Sequence, residues 1–209
     1  MIRLTCLASI SLLALAACNE PEPAAPTAET PGTSPAPTAP EAPIGSPAPA
    51  EDILTSQGWG PLRVGMTVAE VTAAAGPDAN PDAVGGADPA TCDEFHPARA
   101  PEGLRVMIEN GRLARITVAR NATVKTDRGF GVGSLATDIK AAYGGGVVAQ
   151  PHKYVGPPAE DLFAWTRGGS TAYVTDPTAR GVRYEIDVEG KVSMVHVGGP
   201  AIQLVEGCS

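Results

Sequence analysis

Apolar residues recur with helical spacing near the start of the region that carries most of the hydrophobic pattern. The stretch Leu62–Gly76 reads LRVGMTVAEVTAAAG, and Thr67 and Glu70 have the T-x-x-E spacing of a capping box. The apolar face of the predicted helix comprises Val68, Val71 and Ala75. Gly76 is followed by proline, which ends the pattern. The stretch therefore predicts a short capped helix.

The same pattern returns sixty-eight positions later, without a gap, in Gly131–Gly144, GVGSLATDIKAAYG. Gly65 aligns with Gly133 in the second copy, and Glu70 aligns with Asp138. We expect the second helix to begin at Ser134 or Thr137, to bury Ile139 and Tyr143, and to end at Gly144-Gly145-Gly146. A repeat at a fixed spacing indicates duplication of one small structural unit.

Alternating apolar and polar residues follow each predicted helix. Leu104–Ile108 and Leu113–Val118 flank Asn110-Gly111, a strong signal for a β-hairpin. Val182–Val188 and Val192–Val197 form a similar pair around Glu189-Gly190. Further predicted strands are Cys92–His96, Val147–Gln150, Leu162–Thr166 and Thr171–Thr175.

The predicted fold class is α+β, with two tandem repeats that each pack a short helix on a small antiparallel sheet. The repeats span residues 52–123 and 124–209. Since one helix and three strands make a marginal core, we expect the two sheets to pack on, or continue into, each other.

The first 17 residues have the features of a lipoprotein signal peptide. Arg3 precedes a short apolar run, and Leu15-Ala16-Ala17-Cys18 is similar to the lipobox, where cleavage exposes the cysteine for lipidation. The resemblance implies a lipid on Cys18 that binds the protein to a membrane of the bacterial cell envelope. Asn19 in place of Asp favours the outer membrane, with the protein facing the periplasm. An ordinary secretory signal is the alternative.

Residues 18–51 are rich in proline and alanine and contain no aromatic residue. Such a segment cannot bury a core, and we interpret it as a linker between the lipid and the folded part. The formal net charge is −8, and loss of Arg3 with residues 1–17 makes it −9. This charge repels phosphate backbones, so we expect no nucleic-acid partner.

The repeated glycine-helix-hairpin pattern, beginning with Leu62–Thr67, resembles the SmpA/OmlA class of small outer-membrane lipoproteins. Members of that class are accessory to β-barrel assembly. The same fold in tandem is similar to that of β-lactamase inhibitor protein. The second copy departs from the motif at Ser134-Leu135, where the first has Met66-Thr67. The resemblance implies the fold, and it suggests binding rather than catalysis.

Two cysteines, Cys92 and Cys208, lie in the predicted folded part. An even pair in an oxidising compartment indicates a disulfide. Two buried thiols or an intermolecular bridge are the alternatives.

Motifs for catalysis or metal binding are missing from the sequence. His96, His152 and His196 are far apart and lack metal-ligand spacing, although His96 is near Asp93 and Glu94. His196 alternates with valines, which predicts the solvated face of a strand. There is no nucleophile elbow and no phosphate loop. We therefore expect no catalytic residues, no metal and no cofactor.

One cluster of residues suggests recognition. His152, Lys153 and Tyr154 are consecutive, and Trp165 follows shortly after. A cation, an imidazole and aromatic rings together are typical of a binding surface. Alternatively, Tyr154 and Trp165 complete a second core.

Three hypotheses of function follow. The first is a non-catalytic, membrane-anchored envelope lipoprotein that binds a protein or peptidoglycan. The second is an inhibitor-like domain whose concave sheet face binds a periplasmic or secreted enzyme. The third is an envelope hydrolase with a dispersed site.

Overall fold

The computed structural model describes residues 53–168 and 172–209. The predicted signal peptide, the lipidation site Cys18 and the linker lie outside the described residues. No helix in the described part of the chain is long and apolar enough to cross a membrane.

The described chain is a mixed α+β fold with mostly β-structure and two short helices. The elements in order are β1 (Ile53–Thr55), β2 (Gly58–Trp59), β3 (Leu62–Arg63), α1 (Val68–Ala75), β4 (Cys92–Phe95), β5 (Leu104–Glu109), β6 (Arg112–Ala119), β7 (Lys125–Thr126), α2 (Ala136–Tyr143), a 3₁₀ helix (Gly144–Gly146), β8 (Val148–Pro151), β9 (Glu160–Trp165), β10 (Gly181–Ile186), β11 (Val192–Gly198) and a second 3₁₀ helix (Pro200–Gln203).

The main sheet has seven antiparallel strands in the order β4-β5-β6-β11-β10-β9-β8. Both predicted hairpins are present, and Asn110 and Gly111 have positive φ, as a two-residue hairpin turn requires. Strands β6 and β11 pair from Arg115↔Gly198 to Ala119↔Met194. The expectation that one predicted sheet continues into the other is therefore confirmed. A small second sheet has the order β3-β2-β1-β7, and its β1–β7 pair is parallel.

Helix α1 begins as predicted. The Thr67 hydroxyl accepts a hydrogen bond from the Glu70 N–H, and the Glu70 carboxylate accepts from the Thr67 N–H, which completes the capping box. Val71 and Ala75 are buried, whereas Val68 is 43% exposed, so its predicted place on the buried face is wrong. Val68 is the first helical residue, and the whole first turn, residues 68–70, is exposed.

Helix α2 begins differently from the prediction. Its N-cap is Leu135, an apolar residue without a capping oxygen, and not Ser134 or Thr137. The Ser134 hydroxyl instead accepts from the Gly131 N–H. Ile139 is fully buried and Tyr143 packs against the core, as predicted.

The turn before each helix is hydrogen-bonded to the hairpin that follows it. In the first half, the Gly65 N–H donates to the Leu113 carbonyl, and the Leu113 N–H donates to the Met66 carbonyl, both at 2.7 Å. In the second half, Gly133 and Ser134 make the same two bonds with Val192, at 2.8 and 2.9 Å. Both glycines have positive φ, at 96° and 82°, a conformation that other residues adopt only with strain.

The hydrophobic core lies between the helices and one face of the main sheet. It contains fully buried residues from the central strands, including Leu104, Ile116, Tyr184 and Val195. The opposite face carries polar side chains and is partly covered by residues 200–208, which we call the C-terminal segment. A disulfide between Cys92 and Cys208 joins the end of this segment to β4 and confirms the predicted pairing.

The strand predicted at Thr171–Thr175 is wrong for the residues that the structure describes. Thr171 lies outside them, and residues 172–175 form no strand. The Gln203 side chain hydrogen-bonds both the N–H and the carbonyl of Val174, so this backbone pairs with a side chain of the C-terminal segment.

Candidate functional site

The C-terminal segment is held across the polar face of the sheet by two buried arginines. Arg115 on β6 donates to the carbonyls of Ala201 and Leu204, and Arg183 on β10 donates to that of Ile202. Both guanidinium groups are almost completely buried, with side chains 4% and 1% exposed. The carbonyls of the C-terminal segment therefore accept from guanidinium N–H groups that the paired carboxylates leave free.

A groove of about 810 Å³ remains where the C-terminal segment does not cover the sheet. Its floor is the polar face of β4, β5, β6, β10 and β11, and its walls include the loop at 78–83 and residues 205–207. We call it the groove, and its floor residues used below are Glu94, Arg115, Thr117, Glu185, Met194 and His196. Its volume lies in the range that is typical of small-molecule and cofactor sites.

Arg115 and Glu94 form an ion pair at one end of the floor. The pair is well shielded, since the Glu94 side chain is 18% exposed. Arg115 Nε is buried and has no hydrogen-bond partner among the described residues. The floor thus contains a donor that neither the protein nor bulk water satisfies.

His196 lies at the centre of the floor. Its Nδ1 is 3.0 Å from the Thr117 hydroxyl, and its Nε2 is 3.6 Å from Glu185 Oε2. Burial lowers the pKa of His196 to about 4, so the ring is neutral at pH 7. Because Nε2 faces a carboxylate and Nδ1 faces a hydroxyl that can donate, the ring proton lies on Nε2. Nε2 lies beyond hydrogen-bond distance of any described partner.

Glu185 links His196 to a charged cluster on β9 and β10. Its carboxylate lies 3.3 Å from Arg183 Nη2, and Arg183 Nε donates to Asp161 at 2.9 Å. His152 Nε2 lies 3.5 Å from the other Glu185 oxygen. Burial alone raises the pKa of Glu185, but the neighbouring side chains of His196, Arg183 and His152 outweigh burial and lower this pKa to about 2. Glu185 is therefore a carboxylate at every physiological pH.

The predicted solvated position of His196 is wrong, because the residue is 5% exposed. Alternation places it on the polar face of β11 as expected, but this face is covered by its neighbours and by the groove walls. His96 is half-buried and its Nδ1 donates to the Leu104 carbonyl at 2.7 Å. No group of three histidine, cysteine, aspartate or glutamate residues in the described ranges is placed to hold a metal ion.

Three of the four predicted recognition residues lie beside the groove. His152 contacts Glu185, and its Nδ1 accepts from the N–H groups of Tyr154 and Val155. The Lys153 ammonium lies 3.7 Å from Glu206 on the groove wall and 5.2 Å from the centre of the Tyr154 ring. Tyr154 is 59% exposed.

Trp165, the fourth predicted recognition residue, does not line the groove. It is 8% exposed, stacks on Phe163 and packs in a small cluster with Ala179 and Ile202. The alternative that Trp165 completes a second core is thus correct, and the same alternative is wrong for Tyr154.

Sequence reasoning did not identify the groove residues Thr117, Glu185, Arg115 and Arg183. All four occupy polar positions of alternating strands, a pattern that is typical of a solvated sheet face. The available signal was the apolar pair Ala201-Ile202 near the C-terminus, both of which are buried against that face.

Comparison of the chain with models of protein families, with curated proteins and with solved structures finds no match. The resemblance to the SmpA/OmlA class and to β-lactamase inhibitor protein therefore stays a prediction.

Proposed function

We propose that the protein is a non-catalytic lipoprotein of the bacterial cell envelope whose folded part binds a partner protein in the groove. Lipid on Cys18 holds it in the outer membrane, and the proline-rich segment 18–51 carries the domain into the periplasm. The observation that supports binding most strongly is a groove whose walls are fixed by a disulfide and whose buried floor has unsatisfied donors. Unpaired buried donors are rare in folded proteins, and a ligand is one way to satisfy them.

We further propose that the two halves, residues 52–123 and 124–209, are tandem copies of one unit. The equivalent hydrogen bonds of Gly65 and Gly133 to the following hairpins support this interpretation. Tandem copies joined through β6 and β11 place the groove at their junction, because its floor takes strands from both.

The groove, and not an open concave sheet face, is the surface that a partner can reach. An inhibitor-like domain would use an open concave sheet face, and here the C-terminal segment occupies part of the face that the helices leave free. The groove is the part of that face that remains accessible. An inhibitor-like domain would therefore have to bind its enzyme through the groove.

A second candidate function is that of an envelope hydrolase. It is suggested by the His196 imidazole, which lies between the Thr117 hydroxyl and the Glu185 carboxylate. This is the order of groups in acyl-transfer triads. A pKa of about 4 makes His196 a weak base, which is why we rank catalysis second. If the protein is a hydrolase, Thr117→Val abolishes the hydrolysis of ester substrates and labelling by a fluorophosphonate probe. Absence of turnover and labelling in the unmodified protein excludes this candidate.

Photo-crosslinking in intact cells tests the binding proposal. A photoreactive amino acid replaces Met194 on the groove floor, and a matched one replaces Glu189, which is exposed in the β10–β11 turn. We expect a discrete adduct with an envelope protein from position 194 and none from position 189. The same adducts from both positions, or none from position 194, would contradict the proposal.

A further inference from the structure

The segment after β8 is held in place by one imidazole ring. His152 Nδ1 accepts hydrogen bonds from the backbone N–H groups of Tyr154 and Val155, both at 3.2 Å. Among the described residues, the backbone of Lys153, Tyr154 and Val155 makes no other hydrogen bond. All three residues are exposed, so packing adds little to these two bonds. The conformation of this segment, which we call the 153–155 turn, therefore depends on an acceptor at Nδ1.

The other nitrogen of the ring faces a carboxylate. His152 Nε2 lies 3.5 Å from Glu185 Oε1, and the His152 side chain is 11% exposed. Because Nδ1 accepts two hydrogen bonds, the proton of the neutral ring lies on Nε2. The ring thus has two donors on one side and an acceptor on the other.

Charged groups near the ring, or bonded to Glu185, come from three strands and from the turn itself. They are Glu185 and Arg183 on β10, Asp161 and Glu160 on β9, His196 on β11, and Lys153 and Tyr154. Arg183 and Asp161 form an ion pair and offset each other. Glu160 is paired with Lys140, and Lys153 with Glu206. Glu185, a carboxylate at every physiological pH, contacts the ring directly, and it favours a positive charge there.

Protonation of His152 changes its two sets of contacts in opposite directions. The second proton is added at Nδ1, which then becomes a donor that faces the N–H groups of Tyr154 and Val155. Both hydrogen bonds are lost. The contact between Nε2 and Glu185 becomes an ion pair and is strengthened. The ring therefore stays on β10 while the turn is released.

From this geometry we propose that His152 is a pH-sensitive latch, which holds the 153–155 turn beside the groove when neutral and releases it when protonated. Histidine is the side chain that usually changes its charge between pH 5 and 8. The Lys153–Glu206 pair, solvated and 3.7 Å long, is too weak to hold the turn alone. The latch goes beyond the proposed function and does not depend on what the groove binds.

NMR spectroscopy of the full-length protein in detergent micelles at pH 7.5 and 5.5 tests the latch. The ¹⁵N shifts of the His152 ring report whether Nδ1 is protonated in this range, as we expect. The backbone N–H order parameters of Tyr154 and Val155 report the turn. We expect them to fall from about 0.85, typical of rigid backbone, to below about 0.6.

A second turn of the same sheet is a matched internal control. In the β10–β11 turn, the Asp187 side chain accepts from the N–H groups of Glu189 and Lys191. Carboxylates usually titrate below this pH range, so the order parameters of these two amides should not change. Unchanged order parameters in the central strands β6 and β11 show that the fold is intact at both pH values.

Two variants separate protonation from other effects of pH. His152→Asn keeps an acceptor that does not titrate, since an asparagine oxygen can bond the N–H two residues on, and its turn should be rigid at both pH values. His152→Phe has no acceptor, and its turn should be mobile at both. A turn that stays rigid in the unsubstituted protein at pH 5.5, an unprotonated Nδ1 at that pH, or an equal loss of order in His152→Asn would overturn the proposal. Crosslinking from position 194 is measured separately, so either proposal can fail alone.

Discussion

Thr117 and His196 are joined across the β6–β11 pair by a 3.0 Å hydrogen bond between the hydroxyl and Nδ1. The two residues come from different halves of the chain, and they are directly opposite each other in the sheet. The bond orients the imidazole so that Nε2 faces Glu185. The centre of the groove floor is therefore built where the two halves meet, and neither half alone would contain it.

Stability should depend on pH through His196. Its pKa is about 4 in the folded protein and about 6.5 in the unfolded chain, so the unfolded chain binds more protons between these values. The contribution of His196 to the free energy of unfolding is therefore complete above pH 6.5. It falls by on the order of 2–3 kcal/mol as the pH is lowered from 6.5 to 4. Glu185 adds a loss of the same sign below about pH 4.5.

Urea unfolding at several pH values measures this effect. His196→Gln should flatten the dependence between pH 6.5 and 4 relative to the unsubstituted protein, whatever its stability at pH 7. Parallel curves for the two proteins in this window would contradict the assignment.

The disulfide should contribute a large part of the stability. It closes a loop with a sequence separation of 116 residues, for which chain-entropy models predict about 4–5 kcal/mol. Replacement of both Cys92 and Cys208 by alanine should lower the free energy of unfolding by roughly this amount and loosen the C-terminal wall of the groove. Guanidinium denaturation is the measurement, and the reduced unsubstituted protein is the control. A change below about 1 kcal/mol would show that the hydrogen bonds of Arg115 and Arg183 hold the segment without the bridge.

The two helices should respond in opposite directions to changes at their N-caps. Thr67→Ala removes the capping box of α1 and should cost about 1 kcal/mol. Leu135→Thr introduces a capping oxygen at α2, where Asp138 already stands at the N3 position, and should stabilise by about 0.5–1 kcal/mol. Leu135 is 45% exposed, so little apolar burial is lost. Thermal melting of both variants tests this, and a destabilised Leu135→Thr protein would refute equivalence of the two caps.

Attachment to the membrane should depend on a single thiol. Cys18→Ser removes the thiol that we propose accepts the lipid, and we expect the variant in the soluble fraction after cell lysis, while Cys6→Ser stays in the membrane fraction. Retention of the Cys18→Ser protein in the membrane would argue against lipidation.

The elements with local signals could be predicted from the sequence. The capping box at Thr67 and Glu70 and the turn at Asn110-Gly111 depend on residues a few positions apart, and both are present. The start of α2 was missed because backbone bonds from Gly133 and Ser134 to Val192 fix that turn, and they replace the side-chain cap.

The site itself depends on contacts between distant residues. Arg115, Thr117 and His196 alternate with buried residues, as side chains on a solvated face do. Arg115 is buried because residues 200–208 return across this face, tied by Cys208 to a strand more than a hundred positions earlier, and the part of the face that they leave uncovered is the groove with Thr117 and His196. The pairing of the cysteines was predictable, but the face that the segment covers was not, since a disulfide specifies one point of the path only.

The most direct test of the groove as the binding site is to fill it with a large side chain and to measure partner binding in cells. Ala119 lines the groove and is half-buried, and Ala119→Trp places a large side chain inside it. Ala141→Trp, on the exposed side of α2, makes the same change outside the groove. Both proteins should fold and reach the membrane in equal amounts. We predict that the adduct from the photoreactive residue at position 194 is lost in Ala119→Trp and unchanged in Ala141→Trp; an undiminished adduct in Ala119→Trp would contradict the claim that the groove is the binding site.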